Sequence, residues 1–178
     1  DLHGCFPACR RILDIFDASG AERLILLGDL LYHGPRNNLP DGYDPKAVIA
    51  ALAPYADRLF CVRGNCDTEV DQMVLPFPIL AETALLFVDG RTWFAAHGHR
   101  AGANPTANDL PKLPAGSVVL TGHTHIPTLK TNENGILLLN PGSVSIPKGG
   151  FAPSFAVYED GHFSVVSLDG ETIPDLSE

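Results

Sequence analysis

Aspartate, histidine and asparagine residues recur in five short polar turns of this sequence. Four of the turns directly follow a run of apolar residues, and each turn pairs glycine or histidine with a residue that can bind a metal ion. The five turns are Asp1-Leu2-His3-Gly4, Gly28-Asp29, Gly64-Asn65-Cys66-Asp67, His97-Gly98-His99 and Gly122-His123-Thr124-His125. Carboxylate, amide and imidazole donors suit Mn²⁺, Fe²⁺, Zn²⁺, Co²⁺ or Ni²⁺. The residue types therefore predict a metal centre, and we expect Mn²⁺ as its occupant.

These donors are numerous enough for two divalent ions. Two ions about 3.5–4 Å apart hold the attacking and leaving oxygens of a phosphoryl group and generate hydroxide at neutral pH. Asp29, on a tight Gly-Asp turn, is the natural bridging carboxylate. The other donors divide into two sets, which are Asp1, His3 and one distal histidine, and Asn65, His97 and the other distal histidine. Two carboxylates and two divalent cations leave a local charge of about +2, which favours an anionic phosphate.

The apolar runs that precede the turns predict buried strands. Residues just past the ends of such strands gather at one rim of a sheet, where open α/β sheets bind their ligands. Two Asp-Gly turns, at Asp89 and Asp160, should close antiparallel hairpins. The expected strands are 23–27, 58–62, 84–88, 92–96, 116–120, 136–139, 154–158 and 162–168.

Two helices are expected between these strands. One runs from about residue 7 to residue 19 and is followed by Gly20, and the other begins at Asp44-Pro45 and ends before Pro54. The other segments carry weaker signals. They are a long loop at 32–42, an unassigned stretch at 72–79, a loop with at most one helical turn at 101–114, and a solvated acidic end at 171–178. A further strand should precede the Asp1 turn, ahead of the first residue of this sequence.

The composition is that of one globular domain over residues 1–178, with 45% hydrophobic and 19% charged residues. No apolar run approaches the roughly 18–20 residues that span a bilayer, so we expect a cytoplasmic protein with no membrane partner. The net charge of −9 argues against a broad surface for nucleic acid. The four cysteines are too few for a disulfide scaffold and should be reduced thiols. Assembly into a homo-oligomer stays open.

In their order, the five motifs resemble those of the calcineurin-like metallophosphoesterases. The resemblance extends over residues 1–145, and two further segments resemble small bacterial phosphodiesterases of that family: 33–37 and 140–148. It implies an α/β (α+β) metallophosphoesterase fold, a four-layer αββα sandwich of two mixed β-sheets flanked by helices. It also implies two metal ions, usually Mn²⁺, and hydrolysis of a small phosphodiester by a hydroxide that bridges them. By the family pattern, His125 joins Asp1 and His3 on one ion, and His123 joins Asn65 and His97 on the other.

Cys66 departs from the family pattern. Most relatives have a histidine there, which protonates the leaving group or stabilises the transition state. A thiol is a poor general acid, so diesters with acidic leaving groups should be cleaved best. Asp67, His33 and His99 are alternative proton donors.

The candidate functional residues thus fall into three groups. The catalytic candidates are Asp29, Asn65, Cys66 and Asp67, the metal ligands are Asp1, His3, Asp29, Asn65, His97, His123 and His125, and the substrate contacts are Arg36, Asn37, His33 and His99. The alternatives to a phosphodiesterase are a phosphomonoesterase of the same fold and a non-catalytic metal-binding scaffold. Scaffolds of this fold tend to lose ligands, whereas every ligand position here carries a suitable residue.

Overall fold

The computed structural model describes residues 1–100, 111–174 and 176. Three helices and nine strands lie in these ranges. In chain order they are α1 (Phe6–Ser19), β1 (Leu24–Leu26), α2 (Pro45–Leu52), β2 (Leu59–Cys61), α3 (Glu69–Val74), β3 (Thr83–Val88), β4 (Arg91–Ala96), β5 (Val118–Leu120), β6 (Thr128–Thr131), β7 (Leu137–Asn140), β8 (Ser154–Glu159) and β9 (His162–Ser167).

The strands form a mixed five-stranded sheet and two smaller pairs. The sheet has the order β3-β4-β5-β7-β6, in which β4, β5 and β7 run parallel and the two outer strands are antiparallel to their neighbours. A parallel pair, β1 and β2, and an antiparallel hairpin, β8 and β9, complete the set. Both pairs face the five-stranded sheet across one apolar core, in which Leu27 and Val62 meet Trp93, Val118 and Leu139.

Helices α1 and α2 cover the other face of the β1–β2 pair. Cys9, Leu13, Val48 and Leu52 point from the helices into a second core that also contains Leu26. The order of layers on this side is therefore helix, β layer, β layer, which are three of the four layers that the family resemblance implies. No helix in the described part of the chain is long and apolar enough to cross a membrane.

The helix ends follow the local sequence signals. Gly20 has the left-handed conformation (φ 70°) that ends α1, and the Asp44 side chain accepts the backbone N–H of Ala47 at 3.0 Å at the start of α2. Helix α2 ends at Leu52, and Pro54 lies in a short 3-10 turn that follows it. Asp89 and Gly90 both have positive φ (48° and 72°), as a type I′ hairpin turn requires.

Two elements lack a clear pattern in the sequence, α3 and β6. Helix α3 begins with a capping box between Thr68 and Asp71, but its apolar residues Val70 and Met73 are exposed, so no buried face marks it. Three of the four residues of strand β6 (Thr128–Thr131) are polar, and the strand forms by pairing with β7. Of the loop expected at 101–114, residues 101–110 lie outside the described residues, as do 175, 177 and 178 of the acidic end. All four cysteines are free and buried.

Candidate metal centre

The candidate ligands come from two β layers rather than from one sheet. Asp29 and Asn65 follow β1 and β2, whereas His97 follows β4 and the two distal histidines follow β5. The expectation of a single sheet rim is therefore wrong. The ligands meet at the edge that the two facing layers share, because the carboxyl ends of β1, β2, β4 and β5 all reach that edge.

Close approach of the first two strand exits requires glycine at two positions. A Cβ atom at Gly28 would clash with the backbone nitrogen of Gly64, and a Cβ atom at Gly64 would clash with the Asp29 carboxylate. The Asp1 turn joins them through backbone hydrogen bonds, since Leu2 and His3 both donate to the carbonyl of Asp29, at 3.0 and 2.9 Å. The turns of Asp1, Asp29 and Asn65 are thereby held as one unit.

Asp1, His3 and His125 form the first group of donors. The Oδ1 atom of Asp1 lies 3.7 Å from His3 Nε2 and 3.5 Å from His125 Nε2, and the two Nε2 atoms are 3.1 Å apart. The Oδ1 atom is buried and has no hydrogen-bond partner in the described residues. Three ligand atoms therefore converge on one small volume.

Asp29 connects this group to a second one. Its Oδ2 atom lies 3.6 Å from His3 Nε2 and 3.4 Å from His97 Nε2. His97 Nε2 also lies 3.1 Å from Asn65 Oδ1 and 3.2 Å from His123 Nδ1. The carboxylate thus stands between the two groups, which is the position that a bridging ligand requires.

Three backbone carbonyls determine the tautomers of the histidines. The Nδ1 atoms of His3, His97 and His125 lie 2.8, 2.6 and 2.7 Å from the carbonyls of Tyr32, Leu27 and Ile146. A carbonyl only accepts, so each Nδ1 carries a proton, and a neutral ring in this tautomer turns the lone pair of Nε2 inward.

Lone pairs therefore face lone pairs at the centre of both groups. The Nε2 atoms, carboxylate oxygens and an amide oxygen lie 3.1–3.7 Å apart, and in the tautomer with Nδ1 protonated a neutral ring has no Nε2 proton to share. Buried acceptors in this arrangement need a cation. The residues present fit a pair of divalent metal ions, and the carbonyl contacts on Nδ1 are typical of metal-binding histidines.

Four of the candidate ligands have a strained backbone. The non-glycine residues with positive φ include His3 (48°), Asp29 (55°), His123 (66°) and His125 (59°). The left-handed conformation costs roughly 1–2 kcal/mol per residue, and such residues cluster at functional sites.

Burial shifts the pKa values of the site residues. It lowers the pKa of His3, His123 and His125 to about 4, which keeps the rings neutral at pH 7 and ready to bind a cation. For Asp29, burial favours a raised pKa, but contact with His97 and the backbone N–H of Cys66 outweighs burial and holds the pKa below its ordinary value. The Asp29 carboxylate is therefore ionised at pH 7.

Asp67 lies beneath the centre, and both of its carboxylate oxygens accept hydrogen bonds from the backbone. Its Oδ2 atom accepts the backbone N–H groups of Asp29 (2.9 Å) and Gly64 (2.8 Å), and its Oδ1 atom accepts that of Leu30 (2.9 Å). The side chain is only 2% exposed. These contacts argue against the expected role of Asp67 as a proton donor to the leaving group, because neither oxygen faces the open side of the site.

Cys66 lies beside the first group, within reach of His3 and Asp29. Burial and the Asp29 carboxylate raise the pKa of its thiol to about 12. The sulfur accepts the Asn65 amide N–H at 3.3 Å, which directs the amide oxygen of Asn65 toward His97. Cys66 is thus a neutral thiol at pH 7 that orients its neighbour.

The residues expected to contact substrate lie in two places. His33, Arg36 and Asn37 are in the loop after Asp29, which packs on Cys66, since a Cβ atom at Gly34 would lie 3.2 Å from the Cys66 sulfur. Asn37 donates to the carbonyl of His33 at 2.8 Å and so holds the loop together, whereas Arg36 is exposed.

His99 lies on the other side, with its ring centroid 5.5 Å from that of His97 and 6.1 Å from that of His123. Burial and the proximity of His97 lower its pKa. The Nδ1 atoms of His99 and His33 are both buried without a partner in the described residues.

Comparison with known proteins identifies the family. Residues 1–160 match the calcineurin-like phosphoesterase superfamily domain. The chain belongs to that superfamily. Over 173 residues it is 44% identical to the phosphodiesterase YfcE of Escherichia coli K12, a match that covers 97% of this chain and 91% of YfcE. The expected family and the expected close relation to small bacterial phosphodiesterases are both confirmed.

Solved structures confirm the metallophosphoesterase fold. The crystallographic relative YfcE, a phosphoesterase from E. coli, matches with a TM-score of 0.92 over 97% of this chain and 93% of its own. An archaeal phosphodiesterase matches with a TM-score of 0.68 at 20% identity, covering 93% of this chain and 94% of its own. Vacuolar protein sorting 29 of Cryptosporidium parvum matches with a TM-score of 0.56 at 15% identity, covering 88% and 86%. The last two show the fold alone.

Sequence reasoning gave residues 140–143 a structural role as a turn but did not identify them as supports of the ligands. Asn140 and Ser143 are buried below the distal histidines and the Asp1 turn, but their Asn-Pro-Gly-Ser segment has the composition of an ordinary turn. The carbonyls of Leu27, Tyr32 and Ile146 leave no trace in residue type, so only the folded chain reveals them.

Proposed function

We propose that this protein is a metal-dependent phosphodiesterase with two divalent ions. Asp1, His3 and His125 would hold the first ion, Asn65, His97 and His123 the second, and Asp29 would bridge them. The observation that carries the proposal is the convergence of buried acceptor atoms, with Asp29 Oδ2 3.6 Å from His3 Nε2 and 3.4 Å from His97 Nε2. Oxygen and nitrogen donors suit Mn²⁺, Fe²⁺, Zn²⁺, Co²⁺ or Ni²⁺, and we propose Mn²⁺ because it is the usual ion of the family.

Bound divalent ions activate water for attack on phosphorus and neutralise the charge of the phosphoryl oxygens. The protein residues position that chemistry. Asn65 is exposed and presents its amide at the open side of the centre, while Asp29, His3, His97 and His125 form the buried side. Arg36, exposed on the loop that packs on Cys66, is the side chain we propose for a phosphate oxygen of the substrate.

The leaving group receives little help from Cys66. A thiol with a pKa of about 12 is a weak proton donor at neutral pH. The substrate we propose is therefore a small phosphodiester with an acidic leaving group. Support for a diester rather than a monoester comes from the relative that is 44% identical, which is named a phosphodiesterase.

The test compares matched substrates on metal-stripped protein. Bis(p-nitrophenyl) phosphate and p-nitrophenyl phosphate are hydrolysed in parallel after Mn²⁺, Zn²⁺, Ni²⁺, Co²⁺, Fe²⁺ or Mg²⁺ is added back. We expect Mn²⁺ to restore hydrolysis of the diester, and Asp29→Asn to reduce it at least 10³-fold, on the order of losing one main electrostatic contribution to catalysis. The control is Asp14→Asn, which changes an exposed carboxylate on α1 that pairs with Arg10.

Three outcomes would overturn parts of the proposal. Faster hydrolysis of the monoester would assign a phosphomonoesterase. Metal binding without hydrolysis of either substrate would assign a scaffold. Full activity of Asp29→Asn would exclude a centre bridged by Asp29.

A second series of substrates tests the role of Cys66. Aryl phosphodiesters are compared across leaving groups of rising pKa, and we expect the rate to fall steeply along the series because the thiol does not protonate the departing oxygen. Cys66→Ser, which keeps an acceptor for the Asn65 amide, should leave the slope unchanged. A rate independent of leaving-group pKa would mean that another side chain donates the proton.

A further inference from the structure

A segment without any proposed ligand supports three of the proposed ligands. Residues 140–146, here called the β7 exit segment, follow β7 and pass beneath the distal histidines. Ser143 and Ser145 donate their hydroxyls to the carbonyl of Asp1 at 3.1 and 3.2 Å, and the carbonyl of Ile146 accepts His125 Nδ1 at 2.7 Å. Asn140, the last residue of β7 and the first of the segment, adds three side-chain hydrogen bonds.

Asn140 is 4% exposed and uses both ends of its amide. Its Nδ2 group donates to the carbonyl of Gly122 at 2.7 Å and to the hydroxyl of Thr124 at 3.0 Å. Its Oδ1 atom accepts the backbone N–H of Gly142 at 2.9 Å. The two donor bonds span the turn that carries both distal histidines, and the acceptor bond anchors the amide to the exit segment.

The turn that Asn140 contacts is strained. His123 and His125 lie on either side of Thr124, and both have positive φ, 66° and 59°. Each left-handed residue costs roughly 1–2 kcal/mol, so the turn needs external contacts to keep this conformation. A backbone bond from Gly122 to the carbonyl of His97 (2.9 Å) holds one end, and the amide of Asn140 holds the middle.

We infer that Asn140 is the positioning residue for both distal histidines, and therefore for both metal ions. The inference rests on the proposed function, because it takes His123 and His125 as ligands of different ions. A side chain that positioned a single ligand would affect one ion. Asn140 holds the turn between the two histidines, so its loss should weaken both sites together.

Two substitutions at position 140 separate the loss of the hydrogen bonds that position the turn from the effect of an added negative charge. Asn140→Ala removes all three hydrogen bonds. Asn140→Asp keeps the acceptor for Gly142 but turns an oxygen toward the Gly122 carbonyl and adds a negative charge near the proposed cations. Simple electrostatics predicts that Asn140→Asp binds cations more tightly, whereas loss of positioning predicts that it binds them more weakly.

The matched control is Asn132→Ala. Asn132 lies in the β6–β7 turn at the opposite end of β7, where its Oδ1 atom accepts the N–H groups of Asn134 and Ile136, both at 3.0 Å. The substitution therefore removes a comparable asparagine turn contact from the same sheet without touching the metal centre. The thermal unfolding temperature of each metal-free variant measures how much the substitution destabilises the whole fold.

The experiment is calorimetric titration of metal-stripped full-length protein with Mn²⁺, well below the unfolding temperature of every variant. We expect Asn140→Ala and Asn140→Asp each to lose about 10–100-fold in affinity at both sites, the range typical for partners of metal ligands, and Asn132→Ala to bind like the wild type. Thr124→Val removes the hydroxyl that accepts the Asn140 amide and that also contacts the backbone of Ile126. It keeps the bond from Asn140 to Gly122, so it should lose affinity at both sites to a smaller extent, and it serves if neither Asn140 variant folds.

The outcomes distinguish this inference from the proposed function. A wild-type protein that binds fewer than two ions would contradict the dinuclear centre itself. Two ions in the wild type, with unchanged affinity in the Asn140 variants or in Thr124→Val, would overturn the positioning role. Weaker binding in Asn132→Ala equal to that in Asn140→Ala would also overturn it, since the loss would then follow stability alone.

Discussion

At the scale of single residues, Asp29 and Asp67 show how different surroundings give two aspartate side chains different roles. Asp29 keeps its Oδ2 atom free toward His3 and His97, and its pKa is lowered. Burial raises the pKa of Asp67, although three backbone N–H groups oppose the rise. One carboxylate faces the metal centre, and the other fastens the Asp29 and Gly64 turns together from below.

Asp67→Asn should uncouple these turns. The amide would direct an NH₂ group at one or two backbone N–H donors, and losing hydrogen bonds to a charged group costs about 1.5–3 kcal/mol each. We expect a lower unfolding temperature, and Mn²⁺ affinity reduced at least tenfold, on the order reported for partners of metal ligands. Asp14→Asn on the exposed face of α1 is the control.

Mn²⁺ titration and thermal unfolding of the two variants measure these effects. Wild-type Mn²⁺ affinity in Asp67→Asn would show that the turns keep their geometry without the carboxylate. Reduced hydrolysis with unchanged metal affinity would restore a direct role for Asp67 in proton transfer.

At the scale of elements, the connections after the strands carry more of the site than the strands themselves. Strands β1, β2 and β5 are three residues long, yet each ends in a turn that supplies a candidate ligand. The turns are held by contacts with one another, through Gly28 against Gly64 and through the backbone bond from Gly122 to His97.

Two glycines with positive φ test the importance of these contacts. Gly90 (φ 72°) closes the β3–β4 hairpin in open space, whereas Gly28 (φ 95°) lies against the backbone of Gly64. Gly90→Ala should lower the free energy of unfolding by about 1–2 kcal/mol, the cost of a left-handed alanine, and leave Mn²⁺ binding intact. Gly28→Ala should cost more and abolish Mn²⁺ binding, because the two turns must separate.

Urea unfolding and Mn²⁺ titration of both variants measure the difference. Equal losses of stability with intact metal binding in both would mean that backbone strain, rather than the contact between turns, makes glycine necessary at position 28.

At the scale of the whole molecule, the chain is acidic, and its candidate metal centre consists of groups that bind cations. The net charge is −9, and the two proposed ions oppose it locally. Metal-free protein must instead bury neutral histidines. Their pKa values are lowered to about 4 by burial, below the ordinary value near 6.5.

This difference predicts how the stability of the metal-free protein depends on pH. Between about pH 6.5 and 4 the unfolded state binds protons that the folded state excludes, so the free energy of unfolding should fall as the pH falls through this window. Above about pH 6.5 these histidines contribute no pH dependence. The lowered pKa of Asp29 adds a further loss only below about pH 4, because the unfolded carboxyl titrates there.

Urea unfolding at half-unit steps of pH measures this dependence. His125→Gln should reduce the slope by about one proton. An identical slope in the wild type and His125→Gln would mean that His125 is not neutral in the folded metal-free protein.

The family, helices α1 and α2 with their caps, both Asp-Gly hairpins and the residue types of the centre were predictable from the sequence. These features depend on local chemistry, since glycine, proline and aspartate act on their own backbone, and a donor set shows in the residue types alone. Helix α3 and strand β6 escaped prediction because neither buries a periodic apolar face that a local pattern would reveal.

The roles of the individual candidate residues depend on contacts that exist only in the folded chain. The fold joins the ends of two β layers at one edge, turns Asp67 inward while leaving Asp29 free, and puts Asn140 beneath the distal histidines. The supporting carbonyls of Leu27, Tyr32 and Ile146 belong to residues whose side chains have no part in the site. The physical reason is that hydrogen bonds between residues far apart in the chain depend on backbone position, which residue type and spacing do not record.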